Sequence, residues 1–118
     1  MQTQNDEIDT GLLAELVELI GIENLDGALQ VFARDVVTIT QTLATAAGAA
    51  DADGVRRQAH RMRGLCMQFG AVGMATLAGA IENDKSDQVL QSAALLIERA
   101  PAGVEATRAA VGRLAGSV

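Results

Sequence analysis

From Leu25 to Leu43 the apolar residues of this chain recur every three or four positions, as Leu25, Ala28, Leu29, Phe32, Val36, Ile39 and Leu43. That spacing lays them along one face of a helix turning 100° per residue, whereas the faces of a strand alternate at every second residue. The β-branched run Val36-Val37-Thr38-Ile39-Thr40 would suit a strand if read alone. It lies inside the stripe, which continues on both sides of it. The spacing therefore predicts one long helix from about Asn24 or Asp26 to Ala50.

The same periodicity extends through the chain. Leu12, Leu13, Leu16, Val17 and Ile20 predict a first helix from about Ile8 to Ile20, with Asp9 or Thr10 as N-cap and Gly21 as its stop. Asp51-Ala52-Asp53-Gly54 offers capping groups for a helix reaching about Phe69, and Gly70 ends it. A further helix from Val72 to Asn83 turns Met74, Leu77, Ala78 and Ile81 inward. After the polar stretch Asn83–Asp87, a last one runs from Val89 to about Ala115. Pro101, the only proline, lacks an amide donor and clashes with the preceding turn, so a kink or break is expected near Ala100.

With 118 residues, two Phe and no Tyr or Trp, the chain must fill its core with Leu, Ile, Val, Ala and Met. Such residues suit closely packed helices. The expectation is a single all-α domain over residues 1–118, an antiparallel four-helix bundle with an additional short N-terminal helix. Residues 1–7 are expected to be flexible.

Composition narrows the function classes. A formal net charge of −6 argues against nucleic acid or an anionic membrane as the main partner. One cysteine cannot form an internal disulfide, the N-terminus lacks the basic and apolar regions of a signal peptide, and no apolar run is long enough to span a bilayer. A cytoplasmic location is the expectation. One His and one Cys give no converging metal-ligand set, and no phosphate-cradling glycine loop for ATP occurs. No cofactor or metal of its own is expected.

The single histidine, His60, stands in the one positive segment. Arg56, Arg57, Arg61 and Arg63 surround it, and positions 56 to 63 hold no Asp or Glu. On a helical projection Val55, Ala59, Met62, Leu65, Cys66 and Phe69 fall opposite His60, while Arg56, Arg57, Arg63, Gly64 and Met67 lie within roughly 60° of it. The ring therefore points away from the core. A neutral imidazole is a competent nucleophile toward phosphorus. Arg63, one turn on, can neutralise phosphoryl oxygens. Gly64 removes a side chain that would cover the ring, at an intrinsic cost of about 1 kcal/mol for glycine inside a helix. Cys66, roughly 120° from His60, is expected to be a small core residue.

The run Ala59-His60-Arg61-Met62-Arg63-Gly64, followed by Phe69-Gly70-Ala71, Met74, Leu77 and Ile81-Glu82, resembles the signature of the histidine-containing phosphotransfer (HPt) domain family. The resemblance spans about 24 residues and matches in the basic residue at +3, the glycine at +4, the apolar-Gly-small triplet and the apolar positions before an acidic residue. It implies a phosphorelay carrier, in which His60 takes a phosphoryl group from a receiver-domain aspartyl phosphate and passes it to another receiver aspartate. Arg63 would stabilise the phosphate, Gly64 would admit the receiver, and Gln68 matches a polar position able to hydrogen-bond near the phosphohistidine. The partners implied are response-regulator receivers, including those of a hybrid histidine kinase, and the receiver brings the magnesium. No ATP-dependent kinase activity of its own is implied.

Arg56, Arg57, Arg61, Met67 and Ala71 are expected on the docking face. Where family members have small residues at +5 to +7, this chain has Leu65, Cys66 and Met67, and Met67 falls beside His60. A bundle that docks receivers without turnover is the alternative reading. A histidine kinase dimerisation domain is a third, disfavoured because the chain has enough helices to close its own bundle as a monomer.

Overall fold

The structure is a computed structural model and describes residues 7–116. The described residues form five helices and no strand: α1 (Thr10–Ile20), α2 (Ile22–Gly48), α3 (Ala52–Gln68), α4 (Val72–Asn83) and α5 (Val89–Gly116). Helices α2 and α4 each pack against both α3 and α5, so these four surround one core, and α1 lies against α2 and α5. No described helix is long and apolar enough to cross a membrane.

The long stripe becomes the buried face of α2, where Leu25, Leu29, Phe32, Val36, Ile39 and Leu43 are all nearly inaccessible. Val55, Ala59, Met62 and Cys66 meet them from α3, with Met74, Ala78 and Ile81 from α4 and Val89, Ala93 and Leu96 from α5. Each large side chain so buried contributes about 1.5–3 kcal/mol relative to exposure. Phe32 in this core and the partly buried Phe69 packed against it bring their rings to 4.8 Å between centroids. Within α2 the hydroxyls of Thr38, Thr40, Thr42 and Thr45 donate to carbonyls three or four residues back, which satisfies them without leaving the helix.

The helix ends follow local chemistry. Asp9 caps α1 by accepting from the Leu12 amide at 3.1 Å, so the helix begins after the expected Ile8. Gly21, at φ 84°, separates α1 from α2 and lets α2 start at Ile22, earlier than the apolar stripe alone indicates. Asp51 caps α3 through the Gly54 amide at 2.9 Å. Helix α5 continues through Pro101, so the break expected near Ala100 is absent. Leu96, Ala100, Gly103 and Thr107 are buried at helical spacing on both sides of the proline, and packing holds the helix together across the missing bond.

The expectation of flexibility at the N-terminus lies mostly outside the described residues, which begin at Glu7. Glu7 itself is anchored: its carbonyl accepts from the Gly73 amide at 3.0 Å, and the Asp9 amide donates to the Gly70 carbonyl at 2.7 Å. These bonds strap the segment before α1 across the α3–α4 corner. Gly70 has φ 71°, and a Cβ there would stand 2.9 Å from the Asp9 carbonyl oxygen, so both the turn and the strap require glycine.

Candidate functional site

His60 sits in the middle of α3 with its side chain 62% exposed, on the face opposite the buried Ala59 and Met62. Its Nδ1 lies 2.6 Å from Oε2 of Glu82, in the last turn of α4. The other Glu82 oxygen, Oε1, accepts from Nε of Arg63 at 3.0 Å. One carboxylate thus joins the imidazole to the arginine one turn further along α3.

Partial burial pushes the Glu82 carboxyl up, but the hydrogen bonds and charges of His60 and Arg63 outweigh it and hold the group below the usual carboxylate range. An ionised carboxylate only accepts hydrogen bonds, so Nδ1 must carry the proton. In the neutral ring that leaves the Nε2 lone pair free. The sequence placed only positive charge near His60; the structure adds a carboxylate that fixes which ring nitrogen keeps a free lone pair. Glu82 entered the sequence reading only as the acidic end of a pattern, because spacing along one helix cannot reveal a partner 22 residues away on the next.

The remaining expected residues separate into distinct places. Arg63 is half-buried, and its stem runs close over α4, where a Cβ at Gly79 would stand 3.2 Å from its Cδ. A Cβ at Gly64 would meet nothing within 4 Å, so no contact inside the chain requires that glycine. Arg57 and Arg61 are exposed around a shallow hollow that also includes Arg56, Gln58, His60 and Glu82. Arg57 Nη2 is 3.8 Å from Asp51, and Arg61 Nη1 donates to Gln58 at 3.2 Å. Met67, 56% exposed, edges a groove on the other side with Arg63, Thr76 and Gly79.

Three residues stand apart from their expected places. Ala71 is fully buried at the N-cap of α4, under the strap from the N-terminal segment, and presents no side chain to a partner. Gln68 is exposed, but eight residues of helix put it about 12 Å along the axis from His60, too far to bond the ring directly. Arg56 is turned to the chain itself: Nε donates to the Asp84 carbonyl at 2.7 Å, Nη2 to the Ser86 carbonyl at 2.9 Å and Nη1 to Asp53 at 2.8 Å. Cys66 is buried in the core as expected, and burial pushes its thiol up to about 12, which removes it from nucleophilic chemistry.

Compared with known proteins, residues 27–115 match the family model described as the Hpt domain. The match takes in α3 and α4 whole, and with them the His60–Glu82–Arg63 group. No curated protein and no solved structure matches significantly.

Proposed function

Because the chain belongs to the Hpt domain family, whose members carry phosphoryl groups on histidine in phosphorelays, we propose that it shuttles a phosphoryl group between receiver domains on Nε2 of His60. The observation that carries this reading is the bond from Nδ1 to Glu82, which leaves Nε2 bare on an exposed ring. In the forward step the Nε2 lone pair forms a bond to the phosphorus of an aspartyl phosphate. The phosphorus–oxygen bond to the aspartate breaks, and that carboxylate keeps the electron pair. The ring gains positive charge while Nδ1 keeps its proton, and Glu82 lies against that charge. Transfer onward is the reverse, with a second receiver aspartate as nucleophile.

Arg63 has its Nε on Glu82, and its terminal nitrogens are the groups suited to the phosphoryl oxygens. Gly64 leaves the space a receiver needs, and Arg57, Arg61 and Met67 border its approach. The receiver supplies the magnesium. We read α2–α5 as the family's antiparallel four-helix bundle, acting as a cytoplasmic monomer without kinase activity, with receivers of response regulators or a hybrid histidine kinase as partners.

Incubating the chain with a receiver phosphorylated with radiolabelled phosphate tests this reading. Label should appear on the chain as acid-labile, base-stable phosphate, disappear when a second receiver is added, and be absent from His60→Gln. Persistent labelling of that variant would overturn the assignment to His60.

A further inference from the structure

Arg56 is one turn before His60 on α3, within about 40° of the same direction. On sequence grounds it belongs with the arginines that face a partner. Its side chain is instead only 19% exposed, and each of its three nitrogens has a partner within the chain. Two of those partners are backbone carbonyls of the α4–α5 connection, at Asp84 and Ser86.

The position of that connection matters because Glu82 is the next-to-last residue of α4. Carbonyls in the last turn of a helix have no intrahelical partner, and such ends fray unless other groups satisfy them. At the end of α4 the Asp84 amide still reaches Ile81 at 3.2 Å, and Arg56 takes the Asp84 carbonyl. The Asp84 carboxylate then accepts from both the amide and the hydroxyl of Ser86, each at 2.8 Å, which rounds off the turn. Arg56 reaches this turn from α3 on one side of His60. On the other side Arg63 reaches Glu82 across Gly79. The last turn of α4 is therefore tied to α3 both before and after the histidine.

We infer that Arg56 is a positioning residue for the phosphotransfer proposed above, anchoring the end of α4 so that Glu82 stays on Nδ1 of His60 and keeps Nε2 as the nucleophile. Its guanidinium hydrogen bonds go to the Asp84 and Ser86 carbonyls and to the Asp53 carboxylate. It acts through the backbone of Asp84 and Ser86, and the property it sets is the tautomer of His60. An imidazole without such a partner ordinarily favours the proton on Nε2, which blocks the nucleophilic lone pair.

Because the chain has one histidine, the ring nitrogens can be observed without ambiguity in 15N–1H long-range NMR spectra of the labelled protein. In the wild type the Nδ1–H tautomer should dominate. Arg56→Ala should raise the Nε2–H share and slow phosphoryl transfer from a phosphorylated receiver by about fivefold, the scale of one ordinary hydrogen bond. Arg56→Lys, whose ammonium can still donate to the Asp84 carbonyl, should recover part of both. Asp84→Ala loosens the same turn without altering α3 and should shift the tautomer in the same direction. That second variant decides the matter if Arg56→Ala fails to fold.

A wild-type tautomer ratio in both folded variants would overturn the inference. So would slower transfer in Arg56→Ala with the ratio unchanged, since that outcome makes Arg56 a docking residue. If the wild type accepts no phosphate on His60, the phosphotransfer reading falls, while the tautomer comparison still reports whether Arg56 holds Glu82 in place.

Discussion

Glu82 lies between His60 and Arg63 with one carboxylate oxygen on each, 2.6 Å from Nδ1 of the histidine and 3.0 Å from Nε of the arginine. In the proposed transfer the two bonds do different work: the first orients the ring and would offset the positive charge it gains, the second would hold the arginine where phosphoryl oxygens arrive. Removing both with Glu82→Ala should slow phosphorylation of His60 by about tenfold or more, the scale of a hydrogen bond to a charged group. Glu82→Gln keeps an acceptor for Nδ1–H but loses the charge, so its rate should fall between. Single-turnover transfer from a phosphorylated receiver gives the order, and an alanine variant as fast as the wild type would sink the role of Glu82.

The same contacts make a statement about acid stability. The folded state holds the Glu82 carboxyl below its ordinary 4.5, despite the opposing effect of partial burial, through hydrogen bonds from His60 and Arg63. A carboxyl depressed on folding adds stability that is present above 4.5 and lost as pH falls through the folded value. The stability difference between wild type and Glu82→Gln, from urea unfolding, should therefore be level at neutral pH and shrink below 4.5. A difference that grows on acidification would contradict the assigned direction.

Much of this arrangement is legible along the chain because it is local. The stripe from Leu25 to Leu43 fixes α2 and its buried face, and the projection around His60 places its ring outward with Arg63 beside it. What spacing cannot carry is contact between helices. Glu82 and the carbonyls of Asp84 and Ser86 reach His60 and Arg56 only after α4 folds back on α3, and nothing in either helix alone announces it. Ala71 fails the same way, since its burial comes from the strap that Glu7 and Asp9 lay across the corner. At Pro101 the break that a local rule allows does not occur, because buried residues on both sides keep α5 continuous.

Cys66 offers an independent check on the core. Burial pushes its thiol from 9.0 up to about 12. Above pH 9 the unfolded chain releases this proton while the folded chain retains it, so stability falls as pH rises, by about 1.4 kcal/mol per unit until the folded value is reached. Urea unfolding of wild type and Cys66→Ala between pH 8 and roughly pH 11 isolates that loss from other titrations. The wild type should lose stability faster than the variant, and parallel curves would mean that the thiol ionises where it stands.

Gly64 separates stability from function most sharply. A helical glycine costs about 1 kcal/mol relative to alanine, and here an added Cβ would meet no atom of the chain within 4 Å. Gly64→Ala should therefore fold, and unfold at a temperature a few degrees higher than the wild type. If the residue is kept small for an incoming receiver, the same variant should accept phosphate more slowly, because the methyl group lies one turn from His60 on the side the receiver must approach. Thermal unfolding and the transfer rate are read on one preparation. A more stable variant that transfers more slowly assigns Gly64 to partner access, whereas one that transfers at the wild-type rate removes it from the site.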